Sequence, residues 1–222
     1  MEMHNLVSIK NDNQIIVREI NNKYYSLPFY KSSIDFRNET QRNKFIKSVE
    51  DLVRKSPIYR SYIKYLKEKV GLKNCMMFSH LNDEMCNIEM HHGPIFNLYD
   101  YITITLTYFI KNNYLISTFA IAKEVLQDHC DNLIQVMMLS EMAHKAIHVK
   151  SSTINSDFLN IESAWGDLIG YITKYHEYMS ASHFAKLNKY LDKYKKNTKD
   201  EIKSSIFITN IQKWSEYGNF NK

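Results

Sequence analysis

His144 and His148 lie four residues apart behind the apolar run Leu133 to Leu139, and this junction constrains the fold more than any other stretch. On a helix, positions i and i+4 share one face, so the two imidazoles are presented together. Ser140 stands where a helix cap is expected, and Glu141 places favourable charge in the first turn. The run before them (Leu133, Ile134, Val136, Met137, Met138, Leu139) has the length and apolarity of a buried strand. A second pair, His91-His92, precedes Gly93-Pro94. Neighbours on a strand point to opposite faces, so one imidazole can bind an ion while the other stays free. Four of the nine histidines fall in these two segments. Three imidazoles around one cation, with a fourth beside it, can hydrolyse a phosphodiester.

The chain surrounding these segments reads as one mostly helical α+β domain over residues 1–222, with a small ββα-metal-like core. Residues 1–30 form a short β-meander: Leu6 to Ile9, Gln14 to Val17 and Tyr24 to Leu27, with turns at Asn11-Asp12-Asn13 and Asn21-Asn22. Residues 39–71 form a basic pair of helices, 39–55 and 57–70, with Pro57 at the second start and Gly71 past its end. The tyrosines of the second helix are expected in the core. The segments 75–81 and 86–92 predict a hairpin about Asn82-Asp83-Glu84, and with it a core spanning 75–150 that holds an insertion over 97–128. Within the insertion, Tyr101 to Tyr108 alternates as a strand does, but Asn97 and Asp100 make a capping signal that favours a helix. A second helix starts at Ser117. Residues 160–222 carry helices over 164–179 and 182–196 and a packed tail with Trp214.

Ten Lys/Arg against three Asp/Glu from Gln41 to Lys73 contrast with four against eleven from Leu81 to Asp167. From Lys186 to Lys203 the balance is seven against three. Basic flanks around an acidic, histidine-bearing middle suit phosphate contacts near a cation, although lysine-rich helix faces are commonly just solvated. No apolar run reaches the roughly 20 residues of a membrane span, so a cytoplasmic protein is expected, in the host cytoplasm if the gene is phage-encoded. Three cysteines, Cys75, Cys86 and Cys130, with no CxxC pair, argue against a disulfide framework, and Cys86 and Cys130 read as buried thiols. Lys145 after His144 excludes a zincin HExxH. His129 reads as a structural histidine, His80 as a cross-hairpin partner, and His176 and His183 as surface residues.

His91-His92-Gly93-Pro94, Asp131-Asn132-Leu133-Ile134 and His144 to His148 together resemble the HNH, or His-Me finger, endonucleases with their ββα-metal motif. The resemblance covers the paired histidines and proline, the "NL" element and the HxxxH of the helix. It implies a metal-dependent endonuclease, with His91, His144 and His148 as ligands of one divalent ion (Mg²⁺, Mn²⁺ or Zn²⁺) and His92 as general base. Asn132 would hold the loop or orient the base. Gln135 stands at the shorter spacing more usual in that family, so either residue can fill the middle role. Glu89 and Glu141 are placed to orient imidazoles from behind. The expected substrate is DNA, with RNA as the alternative and no membrane partner. Two expectations compete with it: a non-catalytic module that binds nucleic acid or protein around a structural zinc, and a virion or assembly protein whose histidines are unrelated core residues. Composition and the Trp165-Gly166-Asp167 element suggest a phage genome.

Overall fold

Backbone hydrogen bonds within a short segment build the first sheet. Strands β1 (Ile9–Asn11), β2 (Gln14–Ile20) and β3 (Lys23–Ser26) pair antiparallel in the order β1-β2-β3, with an irregularity between Ile16 and Arg18. The structure, a computed structural model, describes residues 9–11, 14–20, 23–26, 30–148 and 164–197; for the three strands and residues 193–197 it describes the backbone alone. The expected strand positions Leu6 to Ser8 and the tail with Trp214 lie outside the described residues.

Helices α1 (Glu39–Lys55) and α2 (Pro57–Glu68) meet at Ser56, whose side chain caps α2 by accepting from the Ile58 N–H at 3.1 Å. Phe45, Ile46, Val49 and Val53 of α1, and Tyr59, Tyr62 and Leu66 of α2, are buried. The basic side chains are left on the outer faces. The chain from Cys75 to Asn87 is a set of turns and no hairpin. Asn82 holds it by accepting from the Glu84 and Met85 N–H groups at 3.1 Å each, an Asx-turn that competes with a ladder. Strand β4 (Ile88–His92) therefore finds its partner far along the chain.

That partner is β5 (Val136–Ser140), antiparallel, with His91 opposite Met137 and His92 opposite Val136. Between them run α3 (Leu98–Lys111) and α4 (Thr118–Cys130). In α3 the alternating Ile/Thr stretch is helical because Asn97 and Asp100 form a full capping box. The hydroxyls of Thr103, Thr105 and Thr107 turn back onto carbonyls one turn earlier, at 2.8, 3.0 and 2.9 Å. Helix α5 (Glu141–His148) follows β5 without a linking residue. Helices α6 (Leu168–Tyr175) and α7 (Ala181–Asn197) complete the described fold. Buried Asp128 receives Lys174 at 2.7 Å and the Tyr175 hydroxyl at 2.9 Å, which joins α6 to α4. Buried Asp100 receives Lys186 at 2.7 Å and joins α7 to α3. His183, expected at the surface, is buried there, with its Nδ1 accepting from the Ser180 N–H at 3.0 Å.

The entry to β5 is held by Asn132. It takes a left-handed conformation (φ 55°) just past α4, where the Asn132 and Leu133 N–H groups return to the carbonyls of His129 and Asp128 at 3.0 and 2.9 Å. Its side-chain oxygen accepts from Trp165 Nε1 at 3.1 Å and Tyr62 Oη at 3.4 Å. Trp165 in turn exchanges two backbone bonds of 2.8 Å with Val136 on the far side of β5. This close approach requires a residue without a side chain at Gly166 (φ 123°), where a Cβ would lie 2.4 Å from the Ile134 carbonyl oxygen. Gly166→Ala is expected to destabilise the fold by about 3 kcal/mol, read as a lower urea midpoint. An unchanged midpoint would mean that the 164–167 segment does not pack against β5 in this way.

Candidate metal centre

Strand alternation and helix phase together assemble the site. On β4, His91 and Glu89 share the face turned to α5, and His92 points to the other. On α5, Ala143 is buried against the strands, His144 is half-buried beside it and His148 lies exposed one turn on. Ser140 caps the helix through a 3.3 Å bond from the Ala143 N–H. One candidate ligand atom each from His91, His144 and His148 lies within 4.8 Å of the other two. Ring centroids are 5.1 Å apart for His91 and His144, 5.3 Å for His91 and His148, and 5.0 Å for His144 and His148. Nitrogens bound to one zinc ion at about 2.0–2.1 Å sit roughly 3.3 Å apart, so modest side-chain rotation closes the cluster. The rings meet edge-on or tilted, as they must to aim lone pairs at a common point.

Glu89 Oε2 lies 2.6 Å from His144 Nδ1. A carboxylate accepts, so Nδ1 carries the proton and Nε2 keeps its lone pair for an ion. At Gly93, a Cβ would stand 3.0 Å from His91 Nε2, so the glycine keeps that nitrogen unobstructed. Burial, reinforced by the neighbouring His144 and His148, pushes His91 down to about 3. Burial and His144 also lower His148. Both stay neutral and metal-competent at neutral pH. The exposed Arg54, at the end of α1, adds to the same depression at His91 and His148, so its positive charge reaches the cluster.

The remaining residues singled out in the sequence lie elsewhere. His92 does not face the ion position. It is 5% exposed, and its Nε2 lies 3.0 Å from Nε2 of buried His129, with Tyr59 stacked 6.0 Å away. The general-base assignment fails on this geometry, because strand alternation turns His92 away from His91. The Asn132 side chain touches Trp165 and Tyr62 and holds the loop; among the described residues it makes no hydrogen bond to an imidazole. Gln135 is buried, its N–H donates to Tyr101 Oη at 3.0 Å, and its side-chain oxygen has no hydrogen-bond partner among the described residues. Glu141 pairs with Lys145 one turn on and orients no imidazole. Of the cysteines only Cys75 is buried; Cys86 is half-buried and Cys130 exposed. His80 is exposed on the turn region, close to Phe78. Sequence reading missed the partnership of His129 with His92, for which helical spacing offers no signal. It also passed over Arg54, one basic residue among many.

The molecule is thus a mostly helical α+β protein in which a two-stranded sheet and a short helix gather three histidines. The model of the bacteriophage G278-like virion protein family matches residues 2–219, and the chain belongs to that family. This establishes phage origin and adds nothing to the His-Me finger resemblance. No curated protein and no solved structure matches the chain. No helix among the described residues is long and apolar enough to cross a membrane.

Acid should weaken the metal-free fold. Burial holds His129 near 4, His91 near 3 and His92 well below its ordinary value. As pH falls through about 6.5 the unfolded chain takes up protons that the folded chain refuses, so stability is present above that pH and is lost on the way to 4. His129 alone accounts for on the order of 3 kcal/mol. Asp128, raised by burial to about 6, works oppositely and offsets about one histidine. Thermal melts at constant ionic strength should show a falling Tm from pH 6.5 to 4; a flat or rising profile would contradict the buried neutral histidines.

Proposed function

We propose that the protein is a metal-dependent phosphodiesterase of the phage particle, holding one divalent ion on His91, His144 and His148 and cutting DNA. The observation that carries this reading is the gathering of three imidazoles, with no fourth ligand beside them among the described residues, at the surface end of a β-β-α unit. Closed four-ligand sets are typical of structural zinc, whereas three ligands leave a position for substrate or water. An all-imidazole set suits zinc and its transition-metal neighbours; magnesium prefers oxygen. Of Zn²⁺, Mn²⁺ and Mg²⁺, the last suits this set least. A divalent ion held there would supply Lewis acidity and bring the pKa of a bound water to about 7. That matters because His92 is withdrawn into the core and no other imidazole among the described residues takes its place as a base.

The protein's own residues would do the rest. Glu89 holds His144 in the ligating tautomer. The positive charge of Arg54 is felt at His91 and His148, and the basic outer faces of α1 and α2 offer contacts to a phosphate backbone. A second reading is favoured by the burial of His92: the ion is a structural clasp fastening α5 to β4 in a particle component that interacts with other virion proteins.

Purified protein is expected to nick supercoiled DNA with Zn²⁺, Mn²⁺ or Co²⁺ and to stop with EDTA. His144→Ala should lower the rate at least about 100-fold. Metal binding that raises Tm steeply while neither DNA nor RNA is cut with any ion would favour the clasp. Absence of metal binding by equilibrium dialysis would remove both readings.

A further inference from the structure

Behind the metal-site face of β4 stands an interior histidine pair that neither ligates nor faces solvent. His129 Nδ1 lies 2.7 Å from the Val125 carbonyl oxygen. A carbonyl only accepts, so this nitrogen carries the proton and, in a neutral ring, Nε2 is left as an acceptor. The 3.0 Å contact between the two Nε2 atoms then has one solution: His92 donates and His129 accepts. Both tautomers are set by a chain of bonds that begins at a backbone carbonyl of α4 and ends on β4. Tyr59 and Tyr62 close the pair, each meeting the His129 ring edge-on at a centroid distance of 5.5 Å.

The end of β4 needs such support. Past His92 the ladder has one weak bond, from the Gly93 N–H to the Gln135 carbonyl at 3.4 Å, and the chain then leaves the sheet. His91 is the ligand at this strand end, and its two partners ride on α5, which is tied to the sheet through Glu89 and Ser140. Adjacent residues on a strand share a peptide unit, so anchoring the His92 side chain from behind fixes the direction in which His91 leaves the opposite face.

We propose that His129 is a positioning residue for the metal centre, acting through His92 to fix the His91 imidazole against the His144–His148 pair. This rests on the three-histidine site as a metal centre and does not depend on its cutting DNA. It makes the affinity of the centre a function of a side chain that touches no ion and lies on a different helix. A role confined to packing would change stability and leave affinity alone.

The test measures the Zn²⁺ dissociation constant by competition with a chromophoric chelator, well below the melting temperature, in the full chain. His129→Met, which leaves the His92 N–H without an acceptor, should weaken binding by about 10–100-fold and alter the visible spectrum of the Co²⁺ form. His129→Phe carries the same expectation should the methionine variant not fold. His129→Gln offers a side-chain oxygen to the His92 N–H and should recover most of the affinity. Tyr175→Phe, which removes a hydrogen bond to Asp128 on the α6 side of α4 and leaves the imidazole pair untouched, should lower Tm with the dissociation constant unchanged. Wild-type affinity in His129→Met would overturn the proposal, as would equal weakening in Tyr175→Phe. Absence of zinc binding by the wild type would instead overturn the metal centre itself.

Discussion

Five residue pairs between β4 and β5 support everything else that this protein presents. Neither strand has a sequence neighbour to pair with, and two helices intervene between them. An isolated two-stranded sheet is marginal in water. Here it survives because β5 is buried along its whole length and the segment at Trp165 extends the sheet by one bridge on the far side of β5. The faces of the sheet are therefore committed: one to the helical core, the other to α5 and its histidines.

The connection at Asn132 shows how the long excursion is brought home. A helix end, a left-handed residue, a tryptophan from a later segment and a tyrosine from an earlier helix meet at one side-chain oxygen. Hydrogen bonds of this kind are individually modest, each about 1 kcal/mol net. Their convergence at one point determines where β5 begins, and hence which of its residues oppose His91 and His92.

Much of this was legible in the sequence because the signals were local. Pro57, Asn97 with Asp100, and Ser117 mark helix starts by chemistry confined to one turn, and the helices begin there. The HxxxH and the preceding apolar run likewise declared a strand and a helix. The false hairpin over 75–92 shows the limit. Apolar alternation does not name a partner, and Asn82 turned the first half of that segment into a set of Asx-capped turns. His92 failed for a related reason. Its neighbourhood was read from a family's motif, while its orientation depends on strand alternation and on His129, which arrives from a helix 37 positions away. Family membership, in turn, speaks of a phage particle and is silent on chemistry.

The abrupt passage from β5 into α5 has a consequence for how such a protein can change. With no linker between strand and helix, the phase of the helix is locked to the pleat of the strand. One residue added between Ser140 and His144 would turn both imidazoles by about 100° around the helix axis. The stretch between His92 and Val136 carries that restriction only where its helices reach the sheet, at His129, whose imidazole meets His92, and at Tyr101, whose hydroxyl accepts from the Gln135 N–H. Length variation is therefore easiest at the exposed turn 111–114 between α3 and α4, which touches neither anchor, and hardest in the four-residue junction.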